Sequence, residues 1–219
     1  MARRIGTVKD FIALWQCHEN LYYSIFSEAL NRFVINEEQR NHEDAISEVL
    51  CIILNTLCFE HERDIIPPAW EPPIQPVINE EIKGGKVRKR PDFTCVFINS
   101  FADNPAMYAI PFHIECKRLG DTVGSWNLNK NYVNDGIKRF DSCTHEYGKR
   151  APSGMMIGYI VSMVPTSILD KVNKHLPDKL PRLNFAFMRK VVSCEQELIR
   201  KNVKPERFKL IHLWTNLKN

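Results

Sequence analysis

KRPDFTCVF at 89–97 and IPFHIECKRLG at 110–120 are the stretches on which the reading of this 219-residue chain turns. Both are short, β-branched and aromatic, and NSFADNPAM at 99–107 between them carries the Asn, Asp and Pro of a turn. Together they predict a β-hairpin. Charge inside such runs is costly unless compensated, yet Asp92, Glu115 and Lys117 all fall there. Alternate side chains of a strand share a face, so Glu115 and Lys117 point one way and Cys116 the other. If the strands pair, Asp92 comes close to Glu115, and two carboxylates and an ammonium form one patch. A divalent cation would relieve the repulsion, and magnesium takes hard oxygen ligands of this kind. The plain alternative is an ion-pair ladder on an exposed strand face, which fits poorly with the apolar neighbours in AIPFHIEC. His113 shares the Glu115 face and is read as a hydrogen-bonded strand residue.

Outward from the hairpin, the preceding Ile46, Val49, Leu50, Ile53, Leu54 and Leu57 make one helical stripe over about 42–58. Residues 7–35 read as an earlier helix, with Thr7 as its N-cap. DIIPPAWEPPIQPVINEEIKGGKV at 64–87 contains five prolines, which exclude helix and predict a surface loop with edge strands. Downstream, 127–141 returns to helical spacing, and MMIGYIVSMV at 155–164 reads as a buried central strand. PTSILDKVNKHL at 165–176 begins like a helix with Pro in its first turn. FMRKVVSCEQELIRKN at 187–202 is read as helical, and RFKLIHLWT at 207–215 alternates like a late strand. The expected fold class is α/β, a small mixed sheet flanked by helices. One domain spans 1–219: an N-terminal helical extension at 1–41, a core at 42–162, and helix and strand elements at 163–219.

Composition is that of an ordinary globular chain, 44% apolar and 26% charged. A net charge of +4, from 30 basic and 26 acidic residues, permits a polyanionic partner without demanding one. The seven cysteines show no C-x-x-C pair and sit mostly in apolar runs such as VLCIILNTLC at 49–58, so buried thiols and a reducing compartment are expected. The start MARRIGTVKD lacks an apolar leader, and no run of about 18 apolar residues could span a bilayer. A cytoplasmic location without membrane contact is the expectation. Dispersed Cys and His exclude a zinc spacing.

Pro91-Asp92 followed by Glu115-Cys116-Lys117 resembles the PD-(D/E)XK signature of the restriction-endonuclease-like nuclease superfamily, over roughly residues 42–162. NYVNDGIKRF at 131–140, Tyr147-Gly148 and GMMIGYIV at 154–161 are together similar to a recurrent downstream block there, in which a helical tyrosine and a base face the substrate. The resemblance implies a restriction-endonuclease-like core and a Mg2+-dependent endonuclease, with Mn2+ able to substitute. It makes Asp92 and Glu115 metal ligands, Cys116 a ligand through its backbone carbonyl, and Lys117 the lysine that serves the attacking water. The superfamily adds an acid from the preceding helix. With Ile46 as zero and about 100° per residue, Glu43 falls at about +60°, within the apolar stripe, and Glu48 near 200°, on the opposite face. Glu43 is therefore the expected fourth catalytic residue, reaching the metal through water.

KGGKVRKR at 83–90 packs five bases into eight residues. It is either a solvated loop or a phosphate-tracking one, with Lys86, Arg88, Lys89 and Arg90 as nucleic-acid contacts. Lys130, Lys138 and Arg139 are further candidates, and Trp126 is read as a packing residue in a turn. The expected substrate is DNA, with RNA a third reading. A homodimer would suit palindromic sites. An ATPase or helicase partner in prokaryotic antiviral defence is the alternative source of targeting. The competing reading is a catalytically inert nucleic-acid-binding or scaffold protein that keeps the fold.

Overall fold

Strand pairing organises the molecule, for which a computed structural model describes residues 8–61, 65–76, 89–187 and 189–218. Six strands form one mixed sheet in the order β1-β2-β3-β4-β6-β5: β1 Ala69–Trp70, β2 Phe93–Ile98, β3 Ala109–Leu119, β4 Ser153–Ile160, β5 Val191–Ile199 and β6 Arg207–Asn216. The expected hairpin is β2 antiparallel to β3, registered Phe93 to Ile114 and Ile98 to Ala109. Pro111 is tolerated because it falls where β3 has a neighbour on one side only; β4 joins from Ile114 onward. β3, β4 and β6 run parallel, and every residue of β4 is buried, as a strand covered on both faces requires. The proline-rich stretch supplies the short edge strand β1, antiparallel to β2.

Helices cover both faces. α1 (Val8–Arg32) and α3 (Glu43–Glu60) pack on one, joined by the four-residue α2 (Glu37–Arg40). Trp15, Tyr22, Phe26, Ala29 and Leu30 make the buried stripe of α1, and Phe33 is buried just past its end. Phe26 meets Phe93 edge-on at 5.6 Å, and Phe33 stacks on Tyr159 at 6.1 Å. Each such fully buried side chain contributes about 1.5–3 kcal/mol, so the N-terminal helix is part of the core rather than an appendage to it. Ile110, Phe112, Ile114 and Cys116 of β3 belong to this core. On the other face α4 (Leu128–Asn134) and α5 (Pro165–His175) cover Leu119, Met156 and Trp214. Alternation therefore puts Glu115 and Lys117 on the α4 side of β3.

Three expectations change. The helix read at 127–141 stops at Asn134, and after Gly136 the chain tightens into a 3-10 turn, Ile137–Asp141. The segment read as helical at 187–202 is strand β5: Val192, Gln196 and Leu198 are buried while Ser193, Glu195 and Glu197 face out, and β6 pairs along its whole length. Cross-strand pairing outweighs the helix-forming residues Glu-Gln-Glu-Leu. Of the seven cysteines, all free, Cys58, Cys95 and Cys116 are buried, whereas Cys17 and Cys143 are exposed. No described helix is long and apolar enough to cross a membrane.

Candidate active site

The hairpin register, continued by one residue beyond Phe93–Ile114, sets Asp92 opposite Glu115. Asp92 Oδ2 accepts the Cys116 backbone N–H at 2.5 Å, which pins the carboxylate to the neighbouring strand. Glu115 is wholly buried. Its Oε1 meets Lys117 Nζ at 2.8 Å and also pairs with the Arg139 guanidinium, whereas its Oε2 is buried with no hydrogen-bond partner. Lys117 Nζ reaches Glu43 Oε1 at 2.9 Å and the Cys116 carbonyl at 2.7 Å. Glu43 Oε2 in turn accepts the Arg118 N–H at 2.9 Å. Glu43 thus joins the first turn of α3 to β3 directly, and Glu48 is exposed, as the helical phase predicts.

Burial sets the electrostatics. Desolvation pushes the Asp92 carboxyl up to about 6, against the lowering influence of Lys117 and the Cys116 N–H. Desolvation first, and then the Asp92 charge, push Glu115 up to about 8 despite Lys117 and Arg139. Lys117 is also desolvated, but Glu115, Asp92 and Glu43 outweigh that and raise its pKa, so it stays an ammonium. His113 sits buried on the Glu115 face, where Nδ1 accepts the Gly148 N–H at 3.0 Å; burial lowers it to about 3 and keeps it neutral.

Among the described residues no group of three or more His, Cys, Asp and Glu side chains is placed to hold a metal ion. A magnesium-type ion needs less than that, one or two carboxylates with other oxygens and water. Asp92, Glu115 with its unpartnered Oε2, and the Cys116 carbonyl are hard oxygen donors of that kind, so the residues present fit such an ion.

The basic candidates divide. Lys130 and Lys138 are exposed, the latter donating to Asn134 Oδ1 at 2.6 Å. Arg139 turns inward to Glu115 instead of outward. Arg90 is exposed and Lys89 half-buried; Lys86 and Arg88 lie outside the described residues. Tyr147, which the sequence reading included only within the downstream block, donates to the Arg90 carbonyl at 2.7 Å and so anchors the chain two residues before Asp92. The sequence marks Arg139 only as a substrate-facing base and Tyr147 only within that downstream block. Only the break at Gly136 and the loop that follows bring both to the carboxylates.

No protein-family model, curated protein or solved structure matches the chain.

Proposed function

We propose that this protein is a metal-dependent nuclease with a restriction-endonuclease-like core, hydrolysing phosphodiester bonds in nucleic acid, with DNA the favoured substrate. The observation that carries this reading is the Asp92–Glu115 pair, Glu115 wholly buried and Asp92 half-buried, whose Glu115 Oε2 has no partner although two cations crowd Oε1. Burying two carboxylates side by side costs stability unless a ligand recovers the loss. A divalent ion held by Asp92, Glu115 and the Cys116 carbonyl would supply a Lewis acid that neutralises charge developing on the phosphate.

The chain's own residues do the remainder. Lys117, held protonated, does not act as the base; its three N–H groups lie on Glu43, Glu115 and the Cys116 carbonyl, and it exchanges one of these contacts to donate a hydrogen bond to the incoming water oxygen or to a phosphate oxygen. Glu43 fixes the direction of that ammonium. Arg139, partly exposed beside Glu115, adds a second cation for the pentavalent phosphate. Water oxygen forms the new P–O bond as the bond to the leaving oxygen breaks. The water proton goes to solvent, and the leaving oxygen takes up a proton in exchange.

The test is cleavage of supercoiled, linear and single-stranded DNA and of RNA, with magnesium or manganese, comparing wild type with Asp92→Ala. Metal-dependent products absent from the folded variant are expected. Binding without cleavage by wild type on every substrate would favour the inert scaffold.

A further inference from the structure

The chain leaves the site at Lys117 and returns to it at Arg139, and between them residues 121–126 are all exposed. Within this excursion Val123 and Trp126 exchange both backbone hydrogen bonds, each at 2.9 Å, across the two-residue turn Gly124–Ser125. Gly124 has φ +57°, the left-handed geometry a type II′ hairpin turn needs at its first central position. A side chain added at Gly124 would meet nothing within 4 Å, so the turn stands clear of the body. Its base is fastened. Asn129 bonds both the N–H and the carbonyl of Gly120, at 3.1 and 2.8 Å, and Asp121 N–H donates to Ser162 Oγ at 2.7 Å. The result is a short, backbone-paired finger that presents Trp126 with 63% of its surface in water. An indole so placed contributes little to the core, contrary to the packing role read from the sequence.

We infer that Trp126 is a stacking platform for an unpaired base of the strand whose phosphate lies against Lys117. This rests on the nuclease reading above. The base of the finger at Gly120 is three residues past Lys117, and Val123, paired to Trp126, is six residues past it, at most about 20 Å along an extended chain, within reach of a nucleotide a few positions along the same strand. Lys130 is exposed one turn beyond Trp126, and Lys174 on α5 lies with it around His175. These charges suit the phosphates that flank a stacked base. An aromatic face accepts any base, so the finger selects strands with unpaired bases rather than a sequence. A paired duplex keeps those faces covered by its own stacking.

The experiment measures binding of a labelled single-stranded oligonucleotide and of its duplex, in a Lys117→Ala background that silences cleavage. Trp126→Ala and Trp126→Leu are expected to weaken single-strand binding by roughly five-fold or more, the loss typical of one stacked base. Trp126→Tyr keeps affinity within about two-fold, since the ring face remains, but removes the Trp126 share of the fluorescence quenching on binding, leaving only that of the other three tryptophans. Duplex affinity should change least. Unchanged binding by Trp126→Ala overturns the inference while leaving the nuclease reading intact. Equal binding by the Leu and Tyr variants also overturns it and marks an apolar face for a protein partner. If the parent binds no nucleic acid and the wild type cleaves none, both readings fail.

Discussion

Lys117 shows how much a single buried position depends on its partners. Its ammonium touches Glu43, Glu115 and the Cys116 carbonyl, so three separate pieces of chain converge on one nitrogen. Strand alternation and hairpin pairing already place Asp92, Glu115 and Lys117 together, and helical phase singles out Glu43 over Glu48. Glu43→Gln should therefore lower single-turnover cleavage about ten-fold or more, as loss of an orienting contact does, with Glu48→Gln close to wild type. Equal rates for the two variants would remove Glu43 from the site. Arg139 was legible only as a base on a predicted helix; its inward turn depends on where that helix ends.

At the scale of elements, Arg200 does for the loop what the strands do for the carboxylates. It follows β5, is buried, and sends its guanidinium to the carbonyls of Phe140, Tyr147, Gly148 and Pro205 while lying 3.9 Å over the Phe208 ring. The segment it gathers, 140–148, begins beside Arg139 and contains Tyr147. Arg200→Met keeps the apolar stem but strands several buried carbonyls, each worth about 1–3 kcal/mol. Unfolding in urea should show a loss of about 3 kcal/mol or more, with cleavage falling as Arg139 loosens. A loss below about 1 kcal/mol would show that the loop is held by other contacts. The same region explains the misread helix. Residues 191–199 carry helix-forming side chains, but the exposed hydrogen-bonding edge of β6 offers a pairing that local propensity does not anticipate.

For the molecule as a whole, the acidic pair makes stability depend on pH and on metal. Glu115 binds its proton more tightly folded than unfolded, about 8 against 4.5. The unfolded state therefore loses that proton first, and this contribution to stability falls as pH rises from about 4.5 to about 8. Buried His113 and His212, both lowered to about 3, work in the opposite direction, losing stability as pH falls below about 6.5. The Glu115 contribution is isolated by comparing melting temperatures of wild type and Glu115→Gln with metal chelated. Glu115→Gln should gain on wild type by a few degrees between pH 5 and 8. Magnesium should raise the melting temperature of wild type but not of the variant. A gap that stays flat with pH, or equal magnesium shifts, would contradict the raised pKa or the metal site. The sequence by itself determined the hairpin, the central strand, the N-terminal helix, the α3 stripe and four of the charged residues at the site, because period and turn chemistry are local properties. Tertiary structure alone decided strand β5, the inward turn of Arg139, the Tyr147 and Arg200 anchors and the exposed Trp126 finger. Each of these depends on which distant backbone is near enough to bond, and no local window of residues contains that information.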